Sequence, residues 1–329
     1  MSSAPPKPSL LFCGKLPSES QPIYSSGADA SLIKDLDCWL SRTLELLELD
    51  PHWVEEFDAV PPSQFALLGT RGRAGLAGHL TPSRDSQGRR FPFVAAGSFV
   101  VEEPMGFLET SPLSLSQMWV LLETASTLAH ECEDASEVQG IFCRAERQLN
   151  DPVRTAPPLI RDFLRTQTIG SLEALFEGSG QRVSLSRILR SLGLSLLPIL
   201  HEPSQRPVRG LVLPLVNDPL FRPFVASFWL DLVAGFVRNA ALELVVLTTR
   251  AHGLPSLLVG FNGPCPRLLR TVLAPKSWFG CNITFDGPAR DEEAMNNDYL
   301  LSRLSSSLRE PGLSLTEARS LFSETFFYR

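Results

Sequence analysis

The densest group of side chains able to do chemistry lies in one stretch, Ser83-Arg84-Asp85-Ser86-Gln87-Gly88-Arg89-Arg90. Three guanidiniums around one carboxylate favour ion pairing over bond breaking, because arginine stays protonated and supplies no base. Two readings follow from the residue types. One is a solvated turn in which Arg89 or Arg90 pairs with Asp85. The other is a structural clasp or a partner-docking loop, since arginine is a preferred interface residue. Lys15, in the turn Gly14-Lys15-Leu16-Pro17, is a further charge of the same kind. Lys15, Arg84, Asp85, Arg89 and Arg90 are the candidate partner-binding residues.

A catalytic set is harder to assemble. A hydrolase needs a nucleophile, a base and an orienting group, and the five histidines, His52, His79, His130, His201 and His252, lie in no Gly-x-Ser-x-Gly elbow. His130, near a helix end, reads as exposed. His130, Glu131, Cys132 and Glu133 are consecutive, but consecutive helical residues point in different directions, so at most two could face one ion. Gly178-Ser179-Gly180 lacks the Gly-Lys-Ser/Thr of a phosphate-binding loop. Gly260-Phe261-Asn262-Gly263-Pro264 follows a strand and precedes a helix, a position able to bind an anion, yet it has neither a third glycine nor a basic partner. No catalytic residue, cofactor or metal ligand is expected. A small-ligand or enzyme pocket near Gly260–Pro264 stays open as an alternative.

The elements that must position these residues follow from periodicity. Leu10–Cys13 is a short apolar strand, stopped by Gly14 and Pro17. Asp29 or Ser31 can cap a helix whose apolar residues Leu32, Ile33, Leu36, Trp39, Leu40, Leu44 and Leu47 share a face. Strands are predicted at Phe65–Leu68, Leu76–Leu80 and Phe91–Ala95, with the charged stretch as the turn between the last two. Ser114 or Ser116 caps a helix over 117–133. Short helices broken by Pro and Gly fill 137–198. Strands at 208–216, Leu242–Leu247, Ser256–Phe261 and 280–285 alternate with helices at Phe221–Val237, Pro266–Leu273, 292–309 and Leu315–Phe322. This alternation predicts a mixed α/β fold, a layered sheet flanked by helices. The expected organisation is an N-terminal α/β domain over 1–135, a helical connecting region over 136–207 and a C-terminal α/β portion over 208–329.

Composition agrees. At roughly 100–200 residues per domain, 329 residues suggest two domains or one elaborated one. With 43% hydrophobic and 20% charged residues the chain can bury a large core. A formal net charge of −6 without a dense basic run argues against nucleic-acid binding, which rests on phosphate neutralisation. The best apolar runs fall well short of the ~20 residues a bilayer requires. Six cysteines occur with no Cys-x-x-Cys pair, and no export signal accompanies them; buried free thiols are expected.

Four segments, in order, carry a family likeness. Phe12-Cys13-Gly14-Lys15-Leu16-Pro17 is similar to an opening Tyr/Phe-Gly-Lys-Leu-Pro element, and Asp37-Cys38-Trp39-Leu40 to a Trp-Asp-x-Trp-Leu helix with Leu36 in place of the first tryptophan. Gln64-Phe65-Ala66-Leu67 is similar to a Trp-x-Phe-Ala-Leu strand. Gly78 to Phe93 is similar to Gly-Val-x-x-Pro-Ser-x-Asp-x-x-Gly-Arg-x-Phe-Pro-Leu. Together they resemble the N-terminal region of TagF, also called ImpM, an accessory protein of bacterial type VI secretion systems. After Pro17 the family has Ala-Arg-Gly-Asp-Phe where this chain has Ser18-Glu19-Ser20-Gln21-Pro22, and beyond about 135 the resemblance thins. The resemblance implies a cytoplasmic, non-enzymatic protein without membrane insertion. It would act post-translationally on type VI secretion components, restraining assembly in concert with a forkhead-associated scaffold protein. A subunit-specific assembly chaperone is the other non-enzymatic alternative. Some relatives carry a phosphatase domain; its acidic metal-binding motifs do not occur in this sequence.

Overall fold

A computed structural model describes residues 8–26, 29–149, 156–202, 204, 207, 209–278, 282–285 and 299–327. Its centre is a mostly antiparallel sheet of nine strands among those residues. The strands are β1 (Ser9–Gly14), β2 (Ile23–Tyr24), β3 (Ser63–Gly69), β4 (Ala74–Thr81), β5 (Phe93–Val100), β6 (Gly210–Pro214), β7 (Glu243–Ala251), β8 (Leu254–Gly260) and β9 (Asn282–Thr284). Their spatial order is β2-β1-β5-β4-β3-β7-β8-β6-β9, with β6 and β9 the parallel pair. The mixed α/β class expected from the alternation of elements is what the chain forms.

Alternation along the strands sorts their side chains onto two faces. Leu10, Phe12, Ala66, Leu68, Ala77 and Ala95 face one core. It is covered by α3 (Pro104–Ser114), α4 (Ser116–Glu131) and α9 (Arg222–Val237). Leu11, Cys13, Phe65, Leu76, Leu80, Val94 and Ala96 face the other, under α1 (Ala30–Leu47) and α10 (Pro266–Leu273). Each fully buried Leu or Phe contributes about 1.5–3 kcal/mol, so both helical layers are held by the same sheet. Asp29 does cap α1, accepting the Ser31 N–H at 2.9 Å.

The chain segment beyond 208 enters this sheet through β7, which pairs with β3 from Gln64↔Thr248 to Gly69↔Glu243. Thr70 fastens the end of that ladder: its buried hydroxyl donates to Ala240 O at 2.6 Å and accepts the Leu242 N–H at 3.0 Å. The sheet is therefore continuous across the boundaries read at 135 and 207. Between them lie α5 (Ser136–Gln148), α6 (Ala156–Thr166), α7 (Ile169–Gly178) and α8 (Leu185–His201).

Several local expectations change. The third predicted strand starts at Phe93 and runs on to Val100; before it the Phe91 N–H donates to Ser83 O, and Pro92 has no N–H to give to the ladder. Two helices were not foreseen, α2 (Trp53–Ala59) and α3. The α4 helix begins without a serine cap: Leu115 holds that position, and the Ser116 hydroxyl donates to Leu113 O at 2.7 Å instead. The turn at Arg250–Gly253 narrows to His252-Gly253, both at positive φ (49° and 81°), between paired Ala251 and Leu254. This is the backbone twist a two-residue hairpin needs. Cys13, Cys38, Cys132, Cys143 and Cys265 are free thiols, yet only Cys13 is buried. Burial, helped by the Asp37 charge, pushes its thiol up to about 12. The predicted helix over 292–309 is described from Tyr299 to Ser307; its first part, and Cys281, lie outside the described residues.

Candidate functional site: a charged clasp between two loops

β4 and β5 are antiparallel neighbours paired from Ala74↔Val100 to Thr81↔Phe93. The Ser83–Arg90 stretch joins them, and its tip is a tight turn closed by Gly88 N–H to Asp85 O at 2.9 Å, with Gly88 at φ 77°. A glycine is favoured there because a Cβ disfavours the left-handed region. Asp85 is the anchor of the turn. Its Oδ1 accepts the backbone N–H groups of Gln87 (3.0 Å) and Arg89 (2.9 Å), and its Oδ2 accepts Arg89 Nε at 2.7 Å. Lys15 Nζ comes from the end of β1 to within 3.1 Å of the same Oδ2.

The turn is thus not solvated in the way the first reading supposed. The pairing of Asp85 with Arg89 is present, but the Asp85 side chain is 0% exposed and Lys15 only 12%. Burial raises the Asp85 pKa. The bonds from the Arg89 backbone and guanidinium, from Lys15 and from the Gln87 N–H outweigh it and hold the carboxyl well below its ordinary range. The clasp also closes on the opposite loop: Arg89 Nη2 donates to Ser20 O at 2.6 Å, and the Ser86 N–H donates to Glu19 O at 2.8 Å. Arg90 turns away and forms a two-bond pair with Asp58 of α2 (2.9 and 2.6 Å), which keeps the Asp58 carboxyl below its usual range.

Of the five charged candidates, four are brought together or paired inside the fold. Lys15, Asp85 and Arg89 form one network, and Arg90 is tied to α2. Arg84 is exposed and, among the described residues, makes no ion pair within 4.0 Å; its charge acts on Asp58 only through space. With half of the Arg89 side chain and the exposed Ser86 and Gln87, it forms the outward tip of the clasp. His130 corrects the expectation of an exposed residue. It is half-buried, with Nδ1 2.8 Å from Ser126 O, Nε2 3.2 Å from Ser83 Oγ and its ring edge-on to Phe93 at 5.3 Å. Among the described residues no three His, Cys, Asp or Glu side chains are placed to hold a metal.

The four segments read as a likeness are neighbours in space. Gly14, at φ 128°, lies so close to Pro92 that a Cβ would stand 2.2 Å from the Pro92 carbonyl oxygen. That contact brings Lys15 to Asp85. Trp39 of α1 sits edge-on to Phe65 of β3 at 5.5 Å. Phe65 in turn covers Gly78 of β4, where a Cβ would meet the ring at 2.2 Å. Residue types separated along the chain are thereby explained as one packing unit.

Comparison with known proteins agrees with this unit. Residues 12–141 match the family model described as TagF N-terminal domain, type VI secretion system-associated. That stretch, less than half of the chain, is similar to the TagF N-terminal domain. The match runs from β1 into α5 and includes the whole clasp. A solved structure, that of PA0076 from Pseudomonas aeruginosa PAO1, is similar at 25% sequence identity, covering 43% of this chain and 63% of that one with a TM-score of 0.34. The chain thus spans less than two thirds of that solved chain. No curated protein matches it. In the matched region β3 is not a free edge, because β7 extends the sheet. Among the described residues no helix is long and apolar enough to cross a membrane.

In the segment Gly260–Pro264, read as an alternative ligand site, Gly260, Phe261 and Gly263 are buried and Asn262 and Pro264 are exposed. Phe261 is 2% exposed. Leu268 fills the space beside Gly260, and the Gly263 N–H donates to Glu243 O at 2.8 Å. This turn fastens α10 to the start of β7.

Proposed function

We propose that the chain is a non-enzymatic accessory protein of a bacterial type VI secretion system, acting in the cytoplasm through protein–protein contact and restraining assembly or activation of the apparatus. The observation that carries the reading is the TagF N-terminal match over 12–141, within which the charged residues serve to shape a loop. Lys15 and Arg89 are committed to Asp85, and Arg90 to Asp58. What remains outward is the tip at Arg84, Ser86, Gln87 and the exposed half of the Arg89 side chain. A loop whose backbone is fixed from within pays little loop-ordering entropy on docking, which favours recognition. An acidic patch on a secretion component, with a forkhead-associated scaffold protein as the first candidate, fits that tip.

The test is affinity capture of the full chain from cells with an intact secretion cluster, in parallel with Arg84→Glu. Recovery of a secretion component by the wild type and its loss with Arg84→Glu is the expected result. Recovery of no secretion component, with effector release unchanged on deletion of the gene, refutes the proposal. Capture that is indifferent to Arg84→Glu keeps the pathway and removes the tip as its contact.

A further inference from the structure

On the face of the sheet covered by α4 and α9, three adjacent strands place polar residues in one row. Gln64 of β3 is the ladder partner of His79 of β4 on one side and of Thr248 of β7 on the other. The row lines a cleft of about 290 Å³, walled by Glu123 of α4, Arg222 at the start of α9 and Arg250 at the end of β7. None of these residues belongs to the clasp.

The two arginines are fixed beside each other by one residue. Arg222 donates from Nε to Val216 O (3.0 Å) and from Nη2 to Asn217 O (2.6 Å). Arg250 donates to Gly253 O (2.9 Å) and, at 3.4 Å, to the side-chain oxygen of the same Asn217. All of these acceptors are neutral. Among the described residues neither guanidinium has a carboxylate within ion-pair distance; Asp218 and Glu123 act on Arg222 only through space. Two like charges are therefore held together, one of them half-buried, without a counter-ion. For the half-buried Arg222 this costs some solvation, which a bound anion would offset. Burial, and then the charge of Arg250, lower the Arg222 pKa.

The floor of the cleft adds neutral hydrogen-bonding groups. The Thr248 hydroxyl donates to Gln64 Oε1 at 3.4 Å, which leaves the Gln64 amide NH2 as a donor. His79 is buried (4% exposed), lines the cleft, and its Nδ1 has no hydrogen-bond partner. A buried ring nitrogen without a partner is a costly feature. The cleft shares Pro61 and Arg250 with an adjoining, more apolar one of about 450 Å³, which gives the remainder of a ligand room.

We propose that this cleft, formed where the C-terminal segment joins the sheet, is a binding site for a ligand ending in an oxyanion, a carboxylate or a phosphate monoester, held between Arg222 and Arg250 over the His79–Gln64–Thr248 row. The chemistry is charge-assisted hydrogen bonding to paired guanidiniums, which suits both anions.

The test uses the full chain and two probes, inorganic phosphate and succinate, titrated by calorimetry at constant ionic strength against chloride. Saturable one-to-one binding of either probe is expected. Arg222→Gln and Arg250→Gln are each expected to weaken it roughly tenfold or more, the equivalent of one charge-assisted bond. Arg84→Gln, on the clasp tip, should leave it unchanged. Binding of phosphate alone assigns a phosphate monoester, and binding of succinate alone a carboxylate. No heat beyond the chloride control overturns the proposal, as does binding that survives both cleft variants or falls equally with Arg84→Gln. Arg250 is exposed, so its variant reads the site even if Arg222→Gln disturbs the fold.

Discussion

His79 makes a quantitative test of the packing of the sheet. Its ring is 4% exposed and its Nδ1 is unpartnered. Burial first, and the nearby His130 second, lower its pKa from 6.5 to about 4. The other charged groups around it are Glu123, Arg222 and Arg250 of the cleft. The unfolded chain therefore takes up a proton near pH 6.5 that the folded chain refuses until about pH 4. Stability from this group is complete above pH 6.5 and falls as the pH drops through that window, because the unfolded state then binds more protons. At ~1.4 kcal/mol for each tenfold difference in proton affinity between the two states, the full loss is about 3 kcal/mol, of which about 2 kcal/mol is gone by pH 5. His130, also lowered by burial against the opposing bond to Ser126 O, acts in the same direction. The perturbation is His79→Gln, which is neutral at every pH. The assay is urea unfolding at pH 7 and pH 5 in buffers free of phosphate and carboxylate. The wild type should lose about 2 kcal/mol more than the variant between the two, while the other titrating groups largely cancel in the comparison. Parallel stability curves for the two proteins would show that His79 is not held neutral by burial and would refute the reasoning.

Replacing Asp85 by Asn removes the charge that Lys15 and Arg89 share; hydrogen exchange of the 83–91 backbone should rise roughly tenfold or more, and unchanged protection would show the clasp to be incidental. Arg84→Ala should stay within about 0.5 kcal/mol of wild type in thermal unfolding, as expected of an exposed side chain without an ion pair. Thr70→Val keeps shape but leaves Ala240 O and Leu242 N–H without the hydroxyl they share; two buried groups at ~1–3 kcal/mol each predict a loss of about 2–6 kcal/mol in urea unfolding. Gly78→Ala puts a methyl into the Phe65 ring and should cost about 1–3 kcal/mol. Phe65→Leu in the same chain should recover part of that, and purely additive losses would count against the contact.

The predicted helix α1 matches the structure because burial on one side writes itself into local periodicity, whereas β4, buried on both faces, was legible as a short run bounded by turn residues. The same logic hid α3. It carries prolines at 104 and 112 and buries residues around its circumference, Phe107, Leu108, Thr110, Ser111 and Pro112 among them, so no one-sided stripe marks it. The resemblance to the TagF N-terminal region was legible because its segments are packed against one another through Gly14, Trp39, Phe65 and Gly78. Contacts of that tightness allow few residue types, and few types make a readable motif.

What the sequence by itself determined was therefore local and compositional: which stretches bury a face, which glycine turns the chain at 88, and which residue types can pair as ions. Only the tertiary structure decided that Asp85 is sealed from water while Arg84 is not. That depends on Lys15 and the loop at Glu19–Ser20 arriving from β1. Only the tertiary structure placed β7 against β3 and so set His79, Gln64 and Thr248 in one row, with Arg222 and Arg250 at its edge. Strand partners are chosen by packing between distant segments, and a charge takes its meaning from the neighbours that desolvate it. Neither quantity has a period along the chain.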